Sequence, residues 1–106
     1  MSPDMYRKIL KPNHTDFIQF IKERTKTKIF FHTDGDVVAL IDDFIELGID
    51  ILNPILTFAG KMADLAKLKK RFGKKLIFCG GIDTHRILPA GTTIEVRDEV
   101  KRVMEL

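Results

Sequence analysis

The chain has 106 residues, of which 44% are hydrophobic and 31% charged, so it has room for one globular domain and is too apolar for a disordered protein. No apolar run approaches the roughly 18 residues of a membrane span, and residues 1–4 do not resemble a signal peptide, so we expect a cytoplasmic protein without membrane contacts. The net charge of +3 comes largely from residues 67–75 at a predicted helix end, where cations offset the helix dipole, and we expect no nucleic-acid partner.

The first predicted element is a helix that begins near the N-terminus. Ser2 is a good N-cap residue, and Pro3 suits the first helical position. Pro12 interrupts the apolar spacing, which predicts either two helical pieces or one kinked helix ending near Arg24. His14 follows the interruption, and we expect it in solvent.

Three short apolar runs, bounded by polar residues and glycines, predict strands buried on both faces of a parallel sheet. They are Lys28–His32, Asp50–Asn53 and Lys75–Cys79. Cys79, the only cysteine, cannot form an intrachain disulfide. We interpret it as a small buried hydrophobic residue, with a reactive or metal-binding thiol as the alternative.

Helices are predicted between and after these strands. Asp36 can cap a helix that stops at Gly48, and a second helix is expected over Met62–Phe72, closed by Gly73. The last strand leads into a short helical piece over His85–Leu88 and then a final helix. For that final helix Thr92 and Glu95 have capping-box spacing, and its expected inner face contains Val96, Val100, Val103 and Met104.

Alternation of helices and strands predicts an α/β fold of about three parallel β/α units. A doubly wound sheet and a barrel both satisfy this pattern, and the periodicity does not choose between them.

Several strings of residues resemble one enzyme superfamily, that of uroporphyrinogen decarboxylase and the cobalamin (corrinoid) methyltransferases. They follow in the same order over nearly the whole chain, at residues 2–7, 31–36, 47–54, 68–73, 80–84, 88–92 and 95–100. The resemblance implies a fragment of a TIM (β/α)8 barrel, with residues 1–106 as the later middle part and both the N-terminal strands and the closing strand missing. Three strands cannot close a barrel, so we expect self-association through unpaired sheet edges.

Polar residues follow each predicted strand, where the active sites of parallel α/β folds lie. We take His32, Asp34, Asn53 and Asp83 as candidate substrate-binding residues, with His85 as a weaker one, and assign no catalytic residue. Three of them have a structural alternative: Asp34 can form a turn, Asn53 can satisfy a strand-end backbone group, and Asp83 can cap the next helix.

The methyltransferase branch carries a His-x-Cys sequence at the position of His32, Thr33 and Asp34, and its zinc activates a thiol. The resemblance therefore makes His32 and Asp34 candidate metal ligands, although Asp34 replaces the usual cysteine. It implies zinc and a corrinoid in the parent enzyme, which binds a small molecule or a corrinoid as substrate; we expect no cofactor on this chain alone.

Two departures from the decarboxylase branch favour the methyltransferase as parent. That branch has Asp-Trp where this chain has Asn53 and Pro54, and Gly-Asn where it has Gly80 and Gly81. We therefore expect a fragment of a corrinoid-dependent methyltransferase that is inactive alone. The alternatives are the cofactor-free uroporphyrinogen decarboxylase of porphyrin biosynthesis and a non-catalytic oligomeric interaction module.

Overall fold

A sheet of three parallel strands organises the fold in the computed structural model, which describes all residues 1–106. Strand β1 spans Phe30–His32, β2 spans Ile51–Ile55 and β3 spans Ile77–Gly80, and the strand order is β1-β2-β3. Because neighbouring strands are parallel, each connection crosses over the sheet and carries a helix. The predicted α/β fold with three parallel β/α units is confirmed.

The N-terminal helix is interrupted, as Pro12 predicts. Helix α1 (Pro3–Met5) leads through a π-helical turn (Tyr6–Leu10) into α2 (Lys11–Arg24). The side chain of Ser2 accepts a hydrogen bond from the Met5 N–H at 3.2 Å, which confirms the cap. Because a helical proline has no N–H to donate and its ring crowds the carbonyl four residues earlier, the wider turn lies just before Pro12.

Both crossover connections begin with a 3₁₀ turn, which the sequence did not indicate. Helix α3 (Ile41–Leu47) follows a turn over Val38–Leu40, and α4 (Leu65–Phe72) follows a turn over Gly60–Ala63. The single helix predicted from Met62 is therefore wrong at its start: the Asp64 carboxylate accepts a hydrogen bond from the Lys67 N–H at 3.0 Å and begins α4 there.

Two helices follow β3, the short α5 (Ile87–Ala90) and α6 (Thr93–Met104). The predicted capping box is confirmed, since the side chains of Thr92 and Glu95 each bond to the other residue's backbone N–H. The predicted inner face is wrong at Met104, which is 82% exposed because α6 packs only loosely on the rest of the chain. None of the helices combines the length and the apolar character that crossing a bilayer requires.

The core lies on one side of the sheet, between the strands and the helices. Leu52 and Ile55 of β2 and Leu76 before β3 are almost completely buried there, against Phe44 of α3 and Met62. The opposite face is open, so the prediction of strands buried on both faces is wrong. An apolar run shows that a strand can be buried, but not that a second layer covers it.

One row of side chains demonstrates the open face. Phe30, Ile51 and Ile77 are register partners across the three strands. Phe30 is 54% exposed and Ile77 is 57% exposed, because no helix crosses this side of the sheet.

An ion-pair cluster attaches the N-terminal helix to α3. The buried Asp43 carboxylate accepts hydrogen bonds from Arg7 at 2.9 and 3.0 Å and from Lys11 at 2.7 Å, and Lys11 also bonds to Glu46 at 2.7 Å. The Arg7 guanidinium, then the Lys11 ammonium, hold the pKa of Asp43 below its ordinary value against the opposing effect of burial.

Candidate functional site

The carboxyl end of the sheet brings His32 and Asn53 together. His32 ends β1 and is the register partner of Asn53 in β2. Because register partners project from the same face of a sheet, their side chains meet, with His32 Nδ1 lying 2.7 Å from Asn53 Oδ1. Two of the four predicted site residues are therefore in direct contact.

The Asn53 amide links all three strands. Its Nδ2 donates to the backbone carbonyl of Cys79 in β3 at 3.3 Å, while its Oδ1 faces His32. An amide nitrogen that donates to a carbonyl defines which end of the side chain is the oxygen. Oδ1 can only accept, so His32 Nδ1 carries the proton in this bond. A neutral His32 then presents an unprotonated Nε2.

Asp34 lies beside that free nitrogen. Asp34 Oδ2 is 3.6 Å from His32 Nε2, which is too long for a hydrogen bond. Both side chains are exposed, at 62% for His32 and 73% for Asp34. The carboxylate and the imidazole thus form a solvent-exposed pair. Asn53 orients the imidazole but not the carboxylate.

The spacing and the chemical type of these two side chains suit zinc, but two ligands are only part of a zinc site. Tetrahedral zinc bonds of about 2.1 Å place neighbouring ligand atoms roughly 3.4 Å apart, close to the observed 3.6 Å separation. Imidazole nitrogen and carboxylate oxygen are both common zinc ligands. However, the chain contains no cluster of three or more His, Cys, Asp or Glu side chains that could hold a metal, so His32 and Asp34 would be two ligands of an incomplete set.

Asp83 does not join this group. Its Oδ1 accepts hydrogen bonds from the backbone N–H groups of His85 at 2.8 Å and Arg86 at 2.9 Å. The N–H of His85, followed by that of Arg86, lowers the pKa of Asp83. The carboxylate thus caps the turn that leads into α5, which is the structural alternative predicted for it.

An aromatic pair that the sequence did not indicate lies in the loops after β2 and β3. The rings of Phe58 and His85 stack with centroids 3.8 Å apart and an angle of 33° between their planes. Phe58 is 44% exposed. Phe58 in the loop after β2 was the available signal, but its partner depends on how two separate loops fold.

His14 and Cys79 lie in surroundings other than those predicted. His14 is half-buried, with Nδ1 3.1 Å from the Tyr6 hydroxyl and its ring 5.5 Å from that of Phe31, so the expectation of a solvated side chain is wrong. Cys79 is half-buried rather than buried, because its side chain is on the open face of the sheet.

A contact between two loops holds the loop that carries Asp34. Asp36 accepts hydrogen bonds from the Val38 N–H at 3.2 Å and from the Lys61 N–H at 2.9 Å. It therefore joins the loop that carries Asp34 to the loop that follows β2, instead of capping α3 directly as predicted.

Comparison with known proteins identifies the family. The family model described as uroporphyrinogen decarboxylase (URO-D) matches residues 1–106, the full length of the chain. None of the curated proteins and none of the solved structures gives a significant match. Since the match covers the whole sequence and the parallel α/β structure agrees with it, the chain belongs to the uroporphyrinogen decarboxylase (URO-D) family.

Proposed function

We propose that this chain is the part of a corrinoid-dependent methyltransferase that contributes two zinc ligands, His32 and Asp34, to the carboxyl end of a barrel. The observation that carries the proposal is the 3.6 Å separation between His32 Nε2 and Asp34 Oδ2, combined with the bond from His32 Nδ1 to Asn53. A hydrogen-bond partner on the other ring nitrogen fixes which nitrogen is free and strengthens that nitrogen as a ligand.

The roles of the residues follow from their positions. His32 would supply a neutral nitrogen, Asp34 an anionic oxygen, and Asn53 would keep the imidazole ring in place. Zinc held there would lower the pKa of a bound thiol, so that the thiolate forms at neutral pH. A catalytic zinc site has three protein ligands, so one more is required from outside this chain, and we expect the chain alone to be inactive.

Zinc titration of the chain tests the ligand assignment. We expect His32→Ala and Asp34→Ala each to weaken the zinc affinity at least about tenfold, because removing even a hydrogen-bond partner of a ligand costs about that much. Asp83→Asn is the matched control, since Asp83 bonds within its own turn. Equal affinities for the wild type and the two ligand variants would contradict the assignment.

Decarboxylation of uroporphyrinogen is the second candidate activity, because the matching family model carries that enzyme's name. It needs no cofactor according to the resemblance, so zinc distinguishes the two candidates. Each reaction, methyl transfer from methylcobalamin to a thiol and decarboxylation of uroporphyrinogen, is assayed with and without added zinc. Turnover by the isolated chain in either assay would refute the expectation that it is inactive.

A further inference from the structure

The aromatic rings of Phe58 and His85 lie at the carboxyl end of the sheet, where parallel α/β enzymes bind their substrates. Phe58 is three residues beyond the end of β2, and His85 is five residues beyond the end of β3. Both side chains are exposed. Their contact joins two neighbouring β/α units, so it does not depend on what pairs with the outer edges of β1 and β3.

The two loops that carry these rings are held by hydrogen bonds to the backbone. The Gly81 N–H donates to the Ile55 carbonyl at 3.1 Å, so the chain leaves β2 and β3 at adjacent points. The loop after β2 also donates a backbone hydrogen bond to Asp36 at 2.9 Å. In the loop after β3, the Asp83 carboxylate accepts from the His85 N–H at 2.8 Å. These bonds position both rings before a ligand binds, which reduces the entropy lost on binding.

The stack of Phe58 on His85 leaves aromatic surface in solvent. The ring centroids are 3.8 Å apart, so the rings cover one another on one side only. Phe58 remains 44% exposed, although a phenylalanine ring is among the most favourable side chains to bury. Aromatic rings bind other flat unsaturated rings through offset stacking and through burial of apolar area. The pair is therefore a surface that suits a ligand with a flat ring system.

Polar groups beside the stack lack partners within the chain. His85 and Arg86 bond to Asp83 through their backbone N–H groups, whereas their side chains form no hydrogen bond or ion pair. Thr57, which precedes Phe58, has a buried hydroxyl with no hydrogen-bond partner. Unsatisfied buried polar groups are rare in native proteins, and they mark places where a bound molecule completes the hydrogen bonding. The side chains of His85 and Arg86 can donate to the carbonyl or carboxylate oxygens of a ligand.

We propose that Phe58 and His85 are substrate-binding residues that hold the macrocycle of a tetrapyrrole-derived ligand, either a corrin or a porphyrin-type ring. Such a ligand combines flat unsaturated rings, which suit the stack, with carboxylate or amide groups at its rim, which suit Arg86. The proposal rests on the proposed function, since it places the macrocycle at the same end of the sheet as His32 and Asn53. It requires no metal, and it applies to either candidate activity.

Titration of the chain with methylcobalamin and with uroporphyrin, both in the presence of EDTA, tests the proposal. Absorbance reports binding of methylcobalamin, and fluorescence reports binding of uroporphyrin. We expect saturable binding of at least one of them. Phe58→Leu keeps an apolar side chain but loses the aromatic face, so it should raise the Kd about fivefold or more. Phe58→Tyr retains that face and should stay within about twofold of the wild type.

Phe20→Leu is the matched control for Phe58→Leu. Phe20 is a phenylalanine of α2 that is 56% exposed, and its ring lies against Arg24 of the same helix, 3.8 Å from the guanidinium carbon. This variant should leave the Kd of both macrocycles unchanged. Neither leucine variant alters the net charge, so a difference between them cannot come from attraction between the basic chain and the carboxylates of uroporphyrin. His85→Ala removes the second ring and should also weaken binding.

NMR provides a second measurement, since the ring protons of Phe58 and His85 should shift when the macrocycle binds. The zinc affinity should be the same in Phe58→Leu as in the wild type, so a failed zinc assignment and a failed macrocycle site are separate results. Binding of only one macrocycle supports the proposal and identifies the kind of ring. Absence of saturable binding for both macrocycles, or equal losses in Phe58→Leu and Phe20→Leu, overturns it.

Discussion

His32 Nδ1 and Asn53 Oδ1 lie 2.7 Å apart across the register of β1 and β2, and this bond decides which nitrogen of the imidazole is available for chemistry. The amide of Asn53 is held at its other end by the Cys79 carbonyl. The orientation of His32 therefore depends on all three strands being paired correctly.

Replacement of Asn53 by alanine should remove the hydrogen bond that orients the His32 ring. In the wild type, nitrogen-15 NMR of the imidazole is expected to show a protonated Nδ1 and a bare Nε2 at a pH where the ring is neutral. Asn53→Ala should yield a mixture of both tautomers and weaken zinc binding about tenfold. Asn13→Ala is the control, since that amide bonds only to the exposed helix backbone at Ile9 O. An unchanged tautomer in Asn53→Ala would show that Asn53 does not orient the ring.

A glycine with a left-handed backbone supports the contact between the two loops. Gly60 has φ of +49°, and a Cβ atom there would collide with Oδ2 of Asp36, the oxygen that accepts from the Lys61 N–H. We expect Gly60→Ala to reduce the free energy of unfolding by about 2 kcal/mol or more, through both backbone strain and the collision.

Gly35→Ala is the matched control for this substitution. Gly35 has φ of +91°, and nothing lies within 4 Å of a Cβ built on it. It should therefore show the backbone penalty without the collision, and urea denaturation should give a smaller loss than for Gly60→Ala. Equal losses in the two variants would mean that the Asp36 side chain moves away from the new Cβ without a loss of stability.

Local signals in the sequence predicted much of the fold. The caps at Ser2, Gly48 and Thr92 depend only on residues within one turn, and the structure contains all three. The parallel order of three strands follows from their alternation with helices. These features require no knowledge of what lies across the sheet.

Features that depend on distant residues were not predictable in the same way. The contact of His32 with Asn53 needs the strand register, and the stack of Phe58 on His85 needs the relative position of two loops. Which face of the sheet is covered depends on helix placement, so Phe30 was wrongly expected to be buried. The roles of His32 and Asp34 as metal ligands stay predictions.

The ion pairs of Asp43 should contribute strongly to stability. Asp43 is only 6% exposed and accepts bonds from both Arg7 and Lys11, which join the N-terminal helix to α3. Asp43→Asn removes the charge and should lower the free energy of unfolding by about 2–3 kcal/mol, because hydrogen bonds to charged groups in a buried position are costly to lose.

The neighbouring Asp42 offers the control for that substitution. It bonds to Arg71 at 3.1 Å, but the two side chains are 67% and 61% exposed. Asp42→Asn should therefore cost about 0.5 kcal/mol or less. Both losses are measured by urea denaturation at pH 7. Similar values for the two variants would argue against a structural role of the Arg7 and Lys11 contacts.

Acid should destabilise the protein through Asp50. The N–H of Ile29 bonds to this carboxylate at 2.9 Å and is the largest cause of its lowered pKa, with Lys22 and Lys28 each 3.1 Å away; together they reduce the pKa from 3.8 to about 2. Because the folded pKa lies below the unfolded one, the stabilisation is fully present above about pH 4 and is lost as the pH falls towards 2. A pKa difference of this size corresponds to about 2 kcal/mol of folding stability.

Urea denaturation between pH 7 and pH 2 measures this contribution. Asp50→Asn should be less stable than the wild type by about 2 kcal/mol at pH 7, and the difference should shrink as the wild-type carboxylate becomes protonated. Asp43 also has a lowered pKa, so the wild type and Asp50→Asn share its acid response, and only their difference reports on Asp50. A difference that stays constant from pH 7 to pH 2 would show that the charge of Asp50 does not stabilise the connection between β1, α2 and β2.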